Sequence, residues 1–206
     1  MKILKFSVGT MGTNCYFLIG AGSGECAVVD PGDEADKIIR KLEDHELKCT
    51  HILLTHAHFD HIMALERLRQ STGANVYLHE EDAEFLTDSE LNLMSRFSSD
   101  KIEVSPADVL LHDGDKITVA GEEITVMHTP GHTPGSVCYL CGKDMISGDT
   151  LFRDSIGRYD FPGGDFMTLM HSLKILAALE GDYKVYPGHG MTTTLERERS
   201  SNLYLN

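Results

Sequence analysis

The segment Thr55-His56-Ala57-His58-Phe59-Asp60-His61 decides the reading of this chain. It follows directly on the apolar run Ile52-Leu53-Leu54 and packs three imidazoles and a carboxylate into six residues. Polar groups gathered where a buried strand ends cost stability unless they find partners. A divalent metal is the natural partner, because neutral imidazole and carboxylate are good ligands for Zn²⁺ and related ions. His56 and His58 are two apart and point the same way from a near-extended loop. Asp60 and His61 fall where a helix from Asp60 to about Gln70 is expected to begin, which aims them at a second point beside the first. Four donors in six residues crowd a single tetrahedral ion, so they read as two half-sites, each completed from elsewhere. Four polar residues on an exposed loop would be the ordinary alternative, but ligand types this dense are rare by chance.

Working outward, alternation of apolar and polar residues predicts strands over 2–8, Asn14–Ile19, Glu25–Asp30 and Thr50–Thr55. The turn 20–24 joins the second and third of these, and Val28-Val29-Asp30-Pro31-Gly32 ends the third at another turn. Helices are expected over Asp33–Glu43 and from Asp60, followed by a strand over Asn75–His79. From Glu80 to about Asp108 the pattern weakens to a short helix and a long loop, of the kind that covers sites. Strand signals return at Lys116–Ala120, Glu122–Met127, Ser136–Leu140, Lys143–Ser147 and Tyr183–Tyr186. Helices are expected over Phe166–Leu179, with Asp165 as N-cap, and over Thr194–Leu203. Two β-rich halves, each ending in strand–loop–helix elements, predict two packed sheets with helices outside, with a mixed doubly wound sheet as the alternative.

The 206 residues suit one domain, 41% hydrophobic and 24% charged, with no apolar run of membrane-spanning length and no signal peptide. Five cysteines, odd in number and mostly in strand-like runs, suit reduced core thiols in a cytoplasmic protein. Cys138 and Cys141 would face opposite sides of one strand, which argues against a zinc ribbon. A net charge of −14 argues against nucleic acid or an anionic membrane as partner.

Three later turns each place a donor just after a strand. These are His132 in Thr129-Pro130-Gly131-His132-Thr133-Pro134-Gly135, Asp149 in Ser147-Gly148-Asp149-Thr150, and His189 in Tyr186-Pro187-Gly188-His189-Gly190. Gly and Pro define such loops tightly. Each alone is just a turn; four strand-end loops offering five His and two Asp form a strong pattern.

With these residues in view, the chain resembles the metallo-β-lactamase-fold hydrolases over nearly its whole length. Within them, Thr129–Ser136 and Gly148-Asp149-Thr150-Leu151-Phe152 are similar to the hydroxyacylglutathione hydrolase (glyoxalase II) branch. The resemblance implies an α+β, four-layer αββα sandwich with a two-metal site at one sheet edge. It implies one ion on His56, His58 and His132, a second on Asp60, His61 and His189, and Asp149 bridging them. Asp30 matches the family's early structural aspartate and would fix a ligand imidazole from behind. The ions would be zinc, with iron or manganese as the other candidates. Full-length glyoxalase II enzymes add a C-terminal helical domain that binds glutathione; with one helix after His189, no counterpart of it is expected here. Arg158 can fill the family's basic role in the following loop, holding an anionic substrate group, with Tyr159 beside Asp160 at the family's tyrosine position. That loop is similar to the short, single-domain members and to persulfide dioxygenases.

The expected chemistry is thioester hydrolysis by a hydroxide shared between two ions, oriented by the catalytic carboxylates Asp60 and Asp149. The alternatives are an iron-dependent persulfide dioxygenase using only His56, His132 and Asp149, and hydrolysis of another ester or lactone.

Overall fold

The computed structural model describes residues 1–22, 24–98 and 102–205. Parts of the turn 20–24 and of the loop 80–108 read from the sequence lie outside the described residues. In chain order the elements are β1 (Lys2–Val8), β2 (Thr13–Ile19), β3 (Glu25–Val29), α1 (Ala35–Asp44), β4 (Lys48–Leu53), α2 (Phe59–Ile62), α3 (Leu65–Thr72) and β5 (Asn75–His79). Then come α4 (Ala83–Thr87), α5 (Met94–Phe97), β6 (Val109–Leu111), β7 (Lys116–Val119), β8 (Glu122–His128), β9 (Val137–Cys141) and β10 (Asp144–Gly148). The chain continues through β11 (Leu151–Phe152), β12 (Ser155–Ile156), α6 (Phe166–Ala177), β13 (Lys184–Pro187), β14 (Thr193–Thr194) and α7 (Leu195–Ser201).

Two six-stranded mixed sheets, ordered β1-β2-β3-β4-β5-β6 and β14-β13-β10-β9-β8-β7, pack face to face. The period-2 alternation of each strand builds the layers. In β2 and β3, Tyr16, Leu18, Ala27 and Val29 point between the sheets, where they meet Ile124, Val126, Tyr139 and Ile146. Their neighbours Cys15, Phe17, Cys26 and Val28 point the other way, onto Ile38 and Leu42 of α1 and Leu65 and Leu68 of α3. On the far side Met145 and Val185 meet Leu169, Leu173 and Leu176 of α6 and Leu195 of α7. The result is the expected αββα sandwich. Cys138 and Cys141 do face opposite layers, and all five cysteines are free and buried.

The strand directions decide where the chemistry goes. β3, β4, β5 and β6 are mutually parallel, and β13 is parallel to β10. β8 reaches β10 through two antiparallel pairings, so it shares their direction. The carboxyl ends of β3, β4, β8, β10 and β13 therefore gather at one edge of the sandwich, the position where open sheets bind ligands. Cross-sheet hydrogen bonds close that edge. Val137 N donates to Thr55 O at 2.9 Å, Tyr139 Oη to Leu54 O at 2.7 Å, and Asn14 N to Gly188 O at 2.7 Å.

The single helix predicted from Asp60 to Gln70 is broken into α2 and α3 at Met63–Ala64. The cause is a competing acceptor: Ala64 N donates to Pro31 O at 3.0 Å, leaving the helical ladder. The short strands β6, β11, β12 and β14 were not predicted; three of them are two residues long and too short to show a period. Asp165 caps α6 as expected, its carboxylate accepting from Thr168 N at 2.8 Å.

Leu53 is fully buried between the sheets. Leu53→Ala is expected to lower unfolding free energy by about 2–5 kcal/mol, read from urea denaturation. A loss below about 1 kcal/mol would show that the inter-sheet layer is not the packed core.

Candidate metal centre

The strand-end loops bring His56, His58, Asp60, His61, His132, Asp149 and His189 together. Their donor atoms form three overlapping groups: His56, His58 and His132; His56, His61 and Asp149; and Asp60, His61 and His189. Within each group the donor atoms lie within 4.8 Å of one another.

In the first group, His58 Nδ1 is 2.9 Å and His56 Nε2 is 3.2 Å from His132 Nε2. Nitrogens bound at about 2.0–2.1 Å to one tetrahedral ion lie about 3.3 Å apart, so this spacing fits a shared cation. Hydrogen bonds behind the rings set the tautomers that such a site needs. His132 Nδ1 donates to Arg158 O at 2.8 Å, leaving Nε2 as the lone-pair nitrogen. Thr55 Oγ1 donates to Asp30 Oδ2 at 2.7 Å and so accepts from His56 Nδ1 at 3.1 Å. His61 Nδ1 donates to the same Asp30 oxygen at 3.0 Å. Asp30 thus orients His61 directly and His56 through Thr55.

In the other two groups, which share His61, His61 Nε2 faces Asp149 Oδ1 at 3.5 Å and Asp60 Oδ2 at 3.7 Å. Both His61 Nε2 and Asp149 Oδ1 are buried with no hydrogen-bond partner. A cation between them removes that cost, and this is the observation that best fits a metal. Asp149 Oδ2 lies 3.7 Å from His132 Nε2 and 3.5 Å from His189 Nε2, between the two groups. Asp60 Oδ2 is 3.2 Å from His189 Nε2 and accepts from Thr13 Oγ1 at 2.9 Å. Gly188 has to lack a side chain, because a Cβ there would collide with Asp149 Oδ1.

The electrostatics divide the site in the same way. Burial pushes the His56, His58 and His132 imidazoles down, His58 to about 3, so these rings are neutral. Burial also opposes charge on His61 and His189, yet the surrounding carboxylates raise them, to about 9 and about 10. Burial likewise works against ionised Asp60 and Asp149, but His61 and His189 hold both below the usual carboxylate range.

Arg158 lies at the rim of the cavity over this centre, with its guanidinium bound to the Asp160 carboxylate by two hydrogen bonds of 2.9 Å. Tyr159 lines a separate outer groove with Tyr204, its ring 4.8 Å from Phe166. His79 stacks on His128 at 3.9 Å, apart from the cluster.

Sequence reasoning missed Asp82. This buried carboxylate accepts from Ala57 N at 3.0 Å, Thr133 Oγ1 at 2.8 Å and Gly135 N at 2.6 Å. It ties the loop carrying His56 and His58 to the loop carrying His132. Burial raises its pKa to about 6, against the pull of those donors. The raised value means that protonated Asp82 favours the fold; that contribution is complete below the ordinary 3.8 and is lost as pH rises through about 6. The only signal in the sequence was an acid beside a strand end, inside a stretch without period.

Two outcomes follow. Loading the group His56, His58 and His132 with zinc at pH 7 is expected to release fewer protons than loading the group Asp60, His61 and His189, whose two raised imidazoles give up theirs. Calorimetry in buffers of different ionisation enthalpy measures this, and equal release at both sites would contradict the division. Asp82→Ala is expected to weaken zinc binding about 10–100-fold in chelator competition, and an unchanged affinity would remove its positioning role.

Comparison with known proteins agrees with this geometry. The profile of the metallo-beta-lactamase superfamily, whose members are metal-dependent hydrolases, matches residues 8–189. The hydroxyacylglutathione hydrolase GloC of Haemophilus influenzae is 34% identical over 210 residues, covering 100% of this chain and 98% of that protein. The crystal structure of the BLEG-1 B3 metallo-beta-lactamase is similar at TM-score 0.92 and 39% identity, covering 100% of both chains. TTHA1623, solved in a di-iron-bound form, is similar at TM-score 0.87 and 36% identity, covering 98% of this chain and 100% of that one. The chain belongs to the metallo-beta-lactamase superfamily.

Proposed function

We propose that the protein is a binuclear metal-dependent thioesterase of the hydroxyacylglutathione hydrolase type. The observation that carries this reading is the pair of adjoining donor groups, with Asp149 between them and two buried donor atoms left unpartnered. His56, His58 and His132 would hold one ion, Asp60, His61 and His189 the other, and Asp149 both. A divalent pair bound there lowers the pKa of water into the neutral range and polarises a carbonyl. Zinc is the proposed metal, since five imidazoles among the seven donors suit it; they suit iron too, and TTHA1623 in its di-iron form makes iron the main competitor. The seven-residue gathering supports two ions over a one-iron dioxygenase, which would leave His58, Asp60, His61 and His189 without a task.

The protein's own groups then have defined work. Asp60 and Asp149, both held ionised, balance cationic charge and orient the attacking water through their carboxylate oxygens. Thr13 Oγ1 fixes Asp60 through Oδ2. A thiolate leaves with a pKa near about 8.5, so the chain needs no separate acid for it. The name of GloC supports the thioester, and the name of BLEG-1 makes a β-lactam the second substrate to assay. We place the protein in the cytoplasm, acting on a small molecule and not on nucleic acid or a membrane. Among the described residues no helix is long and apolar enough to cross a membrane.

Elemental analysis of the purified protein, beside assays of S-lactoylglutathione and a β-lactam, tests the reading. Two ions per chain and chelator-reversible thioester hydrolysis are expected. Asp149→Ala is expected to lower kcat/KM by about 10³-fold. Full turnover by Asp149→Ala with two ions bound would overturn the assignment.

A further inference from the structure

The cavity over the donor cluster has a volume of about 330 Å³ and a wall that is mostly apolar. Met11, Leu93, Phe97, Phe152 and Phe161 line it, with Arg158 at its rim. The wall reaches both halves of the centre: the Phe161 ring meets His58 edge to face at 5.8 Å, and the Phe152 ring lies 6.2 Å from His189. Phe59 and Phe97 stack at 5.4 Å, and Phe97 lies 6.3 Å from Phe161. Met11 and Phe97 are each 56% exposed at the mouth. Large apolar side chains left facing water beside a polar centre mark a place where an apolar ligand seats.

The charge pattern points the same way. Among the described residues, Arg158 is the only cationic side chain other than histidine that lines this cavity. Its Nε and Nη2 are bonded to Asp160, and its guanidinium carbon sits over the Phe161 ring, 3.9 Å from the ring centre. An incoming carboxylate meets a cation whose charge is already balanced by a partner two residues away, in a chain of net charge −14. A thiol carrier with two carboxylates, such as glutathione, meets only this one, already paired, non-histidine cation there among the described residues.

The geometry points to a substrate class within the proposed reaction: thioesters whose thiol side is uncharged and apolar, of aromatic or branched aliphatic size, seated against Phe97, Phe152 and Phe161. This rests on the thioesterase reading. In the hydrolysis itself, water adds its oxygen to the acyl carbon, the carbon–sulfur bond breaks with its electron pair going to sulfur, and the products are a carboxylate, a thiolate and two protons released to solvent.

The test compares two thioesters with the same D-lactoyl group, one on phenylmethanethiol and one on glutathione, using zinc-loaded protein. In parallel, calorimetry measures binding of the two free thiols. The aromatic thioester is expected to exceed the glutathione one in kcat/KM by about tenfold or more, and its thiol to bind tighter by a similar factor. Phe97→Ala, a change at an exposed position, is expected to shrink both ratios, and Asp160→Asn, which frees Arg158, to shift them toward glutathione. Equal or better use and binding of the glutathione pair by the wild type would overturn the inference, as would ratios that neither variant moves. If neither thioester is hydrolysed but phenylmethanethiol still binds more tightly, the thioesterase reading fails and the apolar seat stands. If neither thiol binds, the apolar seat is overturned as well.

Discussion

The buried carboxylate of Asp30 is the interaction on which the rest of the site depends. One of its oxygens accepts from Thr55 N, and the other accepts from Thr55 Oγ1 and His61 Nδ1. Through Thr55 it also sets His56. One residue at the end of β3 therefore fixes the turn after β4, the tautomer of a ring in each half-site and a negative charge behind both. Asp30 adopts a φ of 50°, uncommon outside glycine but more accessible to Asp than to most residues, and its three hydrogen bonds hold it there. Burying such a carboxylate is costly unless it is fully bonded. That cost ties the local turn to the final assembly, because the bonds exist only when β3 and β4 lie side by side.

The same logic extends across the sandwich. Asp82 joins the β4 turn to the loop after β8, and Thr13 joins the β1–β2 hairpin to Asp60. Asn14 and Tyr16 bond Pro187 O at 2.8 and 2.5 Å, fixing the turn that carries His189. Several of the clustered donors, His56, Asp60, His61 and His132 among them, are thus held from behind by hydrogen bonds to residues outside the cluster. Facing inward, they leave lone pairs and carboxylate oxygens with no protein partner, which is the arrangement a cation stabilises. Rigidity behind and vacancy of bonding in front are two aspects of one design.

Much of this was legible in the sequence because its signals are local. The segment Thr55–His61 places donors at fixed spacing after an apolar run, and Gly-Pro turns around His132 and His189 leave few conformations. Alternation gave the long strands, and the inward and outward faces of β2 and β3 follow from it. What was not legible depends on contacts between distant segments. The break at Met63–Ala64 needs Pro31 O as acceptor, and the role of Asp82 needs two loops about 25 and 51 residues away in sequence. Arg158 was readable as a rim cation, but its pairing with Asp160 sits in a loop without period. The strand β6 is three residues long and is recruited by its parallel partner β5.

The central claim is that seven side chains from four strand-end loops enclose two cations. Anomalous diffraction from crystals of the zinc-loaded protein, recorded on both sides of the zinc edge, tests it most directly. The account requires two peaks about 3.5–4 Å apart, one among His56, His58 and His132, the other among Asp60, His61 and His189, with Asp149 touching both. A single peak, or peaks away from these residues, would contradict it.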